Sequence, residues 1–215
     1  MAIKLTKSDY LAIERRDSDY LNAKGADFYT KEDYASAIEY YHLAAAMGNM
    51  YAISNLGYCY MYARSIEKNM SLALGYFKCA AELGNLDAIY KLGNIYKHGE
   101  EGIEQDHEMA IYYYKLAYDQ IIEDDLDKFR YPSLFFSLAK EHLPNGILRL
   151  DYEAAYFFLR VAKIGYEREL QDGAKFREGA LKTTIELLKD EHFDIYRDDE
   201  SLNPFDDESD DVIIN

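Results

Sequence analysis

The sequence predicts an all-α fold made of repeated helix-turn-helix units. Three observations carry this. A pair of alanines seven residues apart recurs four times, at Ala37/Ala44, Ala73/Ala80, Ala110/Ala117 and Ala155/Ala162. A Leu-Gly step recurs at Leu56-Gly57 and Leu92-Gly93. Finally, the 215 residues contain three prolines, so long helices run without the lost hydrogen bond that an interior proline imposes.

The elements follow in chain order. A short leading helix is expected over Lys7–Arg16. Helix pairs are expected near 19–29/33–47, 50–62/69–83, 86–97/106–120 and 133–142/151–164. The second helix of each pair opens on Asp33, Asn69, Asp106 or Asp151, whose side chains can accept from the free N–H groups of the first turn. Alanine follows four residues on. Between the two alanines sit Tyr40-Tyr41, Tyr76-Phe77, Tyr113-Tyr114 and Phe158-Leu159. Positions four and seven apart share a helix face, so the alanines and aromatics form one buried stripe in which alanine admits a close neighbour. The first helices carry Ala52-x₃-Leu56-Gly57-x₂-Tyr60 and Ala88-x₃-Leu92-Gly93-x₂-Tyr96. A glycine inside a helix costs about 1 kcal/mol, so its repetition points to close helix contact. Gly48 and Gly84 follow second helices, where glycine suits a left-handed C-terminal cap. The stretch 121–131 reads as a charged insertion. A helix near 166–189 is expected to cover the apolar face left by the last repeat.

These units resemble Sel-1-like repeats, a branch of the tetratricopeptide superfamily. The shared pattern is Ala-x₃-Leu-Gly-x₂-Tyr, a glycine-containing turn, Asp-x₃-Ala, an aromatic pair, Ala-Ala and Gly-Asn. The first unit is closer to a plain tetratricopeptide repeat, with Gly25, Phe28, Ala37, Tyr41 and Ala44 in register. The fourth is degenerate, with Leu138-Ala139 for Leu-Gly and His142 for the tyrosine. The resemblance spans 19–165 in about four repeats and implies a right-handed α-solenoid with a C-terminal capping helix. The expected layout is a leading helix at 1–18, repeats at 19–165, a capping helix at 166–190 and an acidic tail at 191–215.

Net charge is −16, which argues against a nucleic-acid backbone or an anionic membrane as partner and leaves a basic protein or plain solubility. From Asp190 onward eleven acidic residues face one basic residue, Arg197, giving −10 and leaving −6 for the first 189 residues. So acidic a tail is expected to bury little, and deleting 201–215 is expected to leave melting unchanged. No apolar run approaches the roughly 20 residues needed to cross a bilayer, and the N-terminus carries no hydrophobic signal segment. A cytoplasmic protein is expected. Cys59 and Cys79 make no disulfide framework and are expected to be buried free thiols.

No catalytic, metal or cofactor set emerges, and a non-enzyme is expected. His42, His98, His107, His142 and His192 lack metal-ligand spacing. The Gly99–Gly102 turn lacks the lysine and hydroxyl of a phosphate loop. Asp206–Asp211 lacks a calcium loop's glycine-spaced ligands. Val212-Ile213-Ile214 is an apolar ending that could dock on a groove.

The resemblance implies that first helices line a concave groove holding peptide segments. In register with Gly25, Gly57, Gly93 and Ala139, the groove positions are Asn22 and Tyr29; Ser54, Tyr58 and Tyr62; Tyr90, Asn94 and Lys97; Phe136 and Lys140. Tyrosine supplies contact area at low entropy cost, and asparagine can bond to peptide backbone. Leu56, Leu92, Tyr60 and Tyr96 are assigned to packing, which leaves Tyr58 and Tyr90 to face the groove. The expected function is an adaptor or scaffold for a protein or peptide partner, and the net charge suits a basic one. The alternatives are an acidic inhibitor or immunity-type protein that neutralises a basic toxin or enzyme, and a hydrolase such as some family members are. The oligomeric state is left open by the sequence.

Overall fold

The computed structural model describes residues 3–205. Ten α-helices run in order: α1 (Lys7–Arg15), α2 (Ser18–Thr30), α3 (Tyr34–Ala45), α4 (Met50–Met61), α5 (Met70–Glu82), α6 (Leu86–His98), α7 (His107–Glu123), α8 (Pro132–Glu141), α9 (Tyr152–Gln171) and α10 (Glu178–Leu187). No strand occurs among the described residues; Glu100 and Ile103 form one isolated bridge. The chain divides into two compact units, Met1–Tyr113 and Tyr114–Asn215, with the boundary inside α7.

In the first unit α2 packs on α3 and α4 on α5, and each pair meets the next through α3 against α4 and α5 against α6. The alanines make this possible. Ala37, Ala44, Ala73 and Ala80 are wholly covered, as are Leu56 and Leu92 on the first helices. The Leu-Gly steps mark close approach: a Cβ on Gly57 would lie 2.9 Å from the Phe77 ring, and one on Gly25 would lie 2.7 Å from the Tyr41 ring. One aromatic stack recurs in each repeat, joining a first helix to its second: Phe28 on Tyr40, Tyr60 on Tyr76 and Tyr96 on Tyr113, at centroid distances of 5.4, 5.5 and 5.7 Å.

The predicted caps are all present. Asp33, Asn69, Asp106 and Asp151 accept from the backbone N–H three residues on, at 2.9–3.1 Å. Gly48 and Gly84 sit in the expected left-handed caps, with φ of 87° and 84°, and the asparagine of each Gly-Asn pair takes a capping role that the sequence did not assign. Asn49 and Asn85 are buried N-caps of α4 and α6. Asn49 also donates to Asp19 at 2.8 Å, tying α4 to α2.

α1 closes the first unit through one buried carboxylate. Asp9 accepts from the Thr6 N–H and hydroxyl, the Tyr40 hydroxyl at 2.9 Å and the Lys24 ammonium. Burial alone would raise its pKa, but the bonds from Lys24, Thr6 and Tyr40 outweigh it and hold the carboxyl well below the usual range.

The second unit is centred on α8 and α9, where Phe135, Phe157, Phe158 and Leu138 are fully buried. Three departures from expectation occur here. The charged insertion is partly core: α7 continues to Glu123 because Ile121 extends its apolar stripe, and Phe129 is buried in the 3-10 turn that follows. A single helix over 166–189 is replaced by two segments. α9 runs on to Gln171, Gly173 at φ 96° ends the run, and α10 starts at Glu178. The acidic segment also folds back. Phe193 is fully buried against Tyr152 and Tyr156, Leu202 is buried, and its carbonyl accepts from Arg160 at 3.1 Å. This C-terminal strap (191–205) therefore contributes core residues that its charge concealed. Asp206–Asp211 and Val212-Ile213-Ile214 lie outside the described residues.

Cys59 is buried, and burial pushes its thiol up to about 11. Cys79 is exposed, contrary to expectation, because it lies one residue before Ala80 and so turns off the packed face. No described helix is long and apolar enough to cross a membrane.

Candidate functional site

The site builds from register. By register, positions three before and one after the recurrent small residue of each first helix lie on the side away from Leu56 and Leu92, and side-chain contacts between some of them and neighbouring positions link the first helices within the first unit. Asn55 Nδ2 donates to Asn22 Oδ1 at 3.1 Å, connecting α4 to α2. On the next step the Lys91 ammonium of α6 lies 5.2 Å from the Tyr58 ring centroid of α4. Tyr58 in turn stacks on Tyr62 at 6.2 Å, with planes 6° apart. The first helices α2, α4 and α6 are thus linked by side chains along one strip.

At the α4–α6 end of the strip lies a cleft of about 220 Å³. Met61, Met70 and Ile95, all buried, supply its apolar part, and Tyr62, Lys68, Lys91, Asn94, His98 and Glu100 complete the lining. Burial lowers the pKa of Lys91, and the nearby Asp87 and Glu100 carboxylates oppose that shift. An apolar part beside amide, phenol and ammonium groups suits an apolar side chain whose backbone needs hydrogen-bond partners. No group of three His, Cys, Asp or Glu that could hold a metal occurs among the described residues.

The expected groove residues divide. Tyr62 is 52 % exposed and ready for contact. Asn22, Asn94, Tyr90 and Lys97 are half-buried. Ser54 is buried at 4 % exposure, so a partner does not reach it. Tyr58 does more packing than register suggested: its ring meets Phe77 edge-on at 5.0 Å, so it supports the strip from below. Tyr29 is turned toward Tyr34 at 5.0 Å, with the Arg64 guanidinium 5.9 Å from its ring. In the second unit Phe136 packs edge-on against Tyr166, and the Lys140 ammonium lies 5.8 Å from the Phe136 ring.

Asn55 and Lys91 were missed. They occupy the same place, two residues before Gly57 and Gly93, and 36 residues apart. That shared offset was the available signal, although a change from amide to ammonium hid it.

Comparison with known proteins agrees with this repeat geometry. The Sel1 repeat family model matches residues 11–49, 51–85 and 86–120, a little over half the chain. The chain belongs to the Sel1 repeat family. The α8/α9 pair, whose Leu-Gly step is replaced by Leu138-Ala139, lies outside the matched segments. Among solved structures, a Sel1 repeat protein from Oxalobacter formigenes superposes with a TM-score of 0.56 at 20% identity, over 69% of this chain and 58% of that one. A protective antigen of uropathogenic Escherichia coli strains, displaying an SLR fold, gives a TM-score of 0.48 at 19% identity, over 69% and 39%. The chain thus spans about three fifths and two fifths of their lengths. No curated protein matches it by sequence. Sel1 repeat proteins are generally protein-interaction modules, and their fold is typically a non-enzymatic scaffold.

Proposed function

We propose that this Sel1 repeat chain is an adaptor that holds an extended segment of a protein partner along the α2–α4–α6 strip. The observation that carries the reading is a run of polar groups along the strip that ends at the cleft: Asn22 with Asn55, then Lys91 and Asn94 beside Tyr62. Half-buried amides at successive repeats can serve peptide N–H and C=O groups at intervals, and Met61, Met70 and Ile95 in the cleft give one side chain apolar contact. Tyr62 is the anchor, being large, exposed and held in place by Tyr58. The reading places the protein in the cytoplasm, where Cys59 and Cys79 would persist as thiols.

The test begins with a peptide selected from a random library on the full chain. That peptide is then titrated against the parent and against Tyr62→Ala/Asn94→Ala, which spares the Tyr58–Phe77 contact. A loss of at least about 2 kcal/mol of binding, near thirtyfold, is expected. An unchanged affinity rules the strip out.

A further inference from the structure

Beyond the peptide-holding strip, and independently of it, the two terminal caps of the chain carry complementary surfaces. On α1, Asp9 and Ala12 face inward, which leaves Lys7, Tyr10, Leu11, Glu14 and Arg15 on the opposite side of the helix. Tyr10 is 59 % and Leu11 43 % exposed. Residues 3–16 hold four basic residues against two acidic ones, and one of those acids, Asp9, is already neutralised by Lys24. An outward face with two large apolar side chains and a basic border is unusual in a chain of net charge −16.

The C-terminal strap is the reverse. Phe193 and Leu202 point into the second unit, while Ile195 stands 77 % and Phe205 62 % exposed. Residues 190–205 hold six acidic residues against Arg197, and Arg197 is itself paired with Asp194 at 2.8 Å. Here too, exposed apolar side chains are bordered by charge, now negative. The strap lies on Tyr152 and Tyr156 of α9. By register from the alanines these match Met70 and Leu74 of α5, which share a core cluster with Ala88, Leu92 and Ile95 of the following first helix. The strap therefore covers the place where a further repeat would begin, and presents its own acidic, apolar surface instead.

We infer that the basic face of α1 docks on the acidic strap of a second copy of this chain, in a head-to-tail contact. The apolar pairs, Tyr10 with Leu11 and Ile195 with Phe205, supply the desolvated centre, and the charged borders fix orientation and speed encounter. The contact is heterologous, joining two different surfaces, so it propagates from copy to copy unless it closes into a ring.

Sedimentation velocity on the full chain over a concentration series up to about 100 µM tests this. In about 50 mM salt, where the Debye length exceeds 10 Å, the mean mass should rise with concentration. Raising the salt to about 500 mM should weaken association by about tenfold or more. Lys7→Glu/Arg15→Glu reverses one face and Glu191→Lys/Asp198→Lys the other; all four side chains are exposed. Each variant alone should stay monomeric, and an equimolar mixture should associate again. Ile195→Ser, which removes an exposed side chain without altering charge, should weaken association even if a reversed variant fails to fold. A parent that stays monomeric throughout overturns the inference. So does association that only one of the two reversals abolishes, since that marks a contact between like faces.

Discussion

Asp9 shows how a single residue decides whether the N-terminal cap holds. Its carboxylate accepts from two groups of Thr6, from Tyr20, from Tyr40 and from Lys24, and it is fully buried. Asparagine has nearly the same shape but turns an NH₂ donor toward those donors. Asp9→Asn should therefore lower stability by about 2–3 kcal/mol at neutral pH, measured by urea unfolding. The pH dependence has a definite sign. The folded pKa lies below the unfolded value of about 3.9. The stabilisation is therefore complete above that pH and is lost as pH falls through the folded value. The gap between parent and variant should narrow below about pH 4; a constant gap would show that the charge is not the source. Thr6, three residues back, forms a capping box that the sequence could have shown, but Tyr20, Lys24 and Tyr40 lie 11, 15 and 31 residues away and could not be read from it.

At the scale of elements, the turns between first and second helices differ in a measurable way. Gly99 and Gly102 take φ of 65° and 78° before α7, whereas the turn before α5 has Ala63 and Ser65, both at 53°. A side chain in that region is strained by about 1–2 kcal/mol, while glycine gives back part of the relief through its freer unfolded state. Ala63→Gly and Ser65→Gly should each raise stability by about 0.5–1 kcal/mol in thermal melts. Gly99→Ala should lower it, since a Cβ there would also lie 3.2 Å from the Gln105 nitrogen and the Ile103 oxygen. The strap makes the opposite point about reading elements from composition. Its acidity suggested a segment with nothing to bury, yet Phe193 and Leu202 alternate with its charges and enter the core. Phe193→Ala should lose about 3 kcal/mol. Deleting 201–215 should cost about 2 kcal/mol through Leu202, whereas ending the chain after Phe205 spares that contact. Equal melting temperatures for the parent and the 201–215 deletion would show that Leu202 contributes nothing.

Across the whole molecule, legibility followed periodicity. Alanine, leucine and glycine recur at fixed spacing because each repeat solves the same packing problem, so helices, caps and core could be read from one chain. The strip was legible only in outline. Register placed Asn22, Tyr62 and Asn94 on it, but it also placed Ser54 there, which is buried, and it treated Tyr58 as free of packing although its ring rests on Phe77. Which side chains face a partner depends on helix rotation by a few tens of degrees, and core spacing does not fix that. Asn55 and Lys91, which connect the helices of the strip, emerged only from contacts across repeats. The central claim is that the first helices, rather than the second, hold the partner. Amide chemical-shift mapping of the labelled full chain with a library-selected peptide tests it most directly. Perturbations concentrated on α2, α4 and α6, greatest around Tyr62 and Asn94, are the predicted result. Perturbations concentrated on α3, α5 and α7, or confined to the strap, would contradict it.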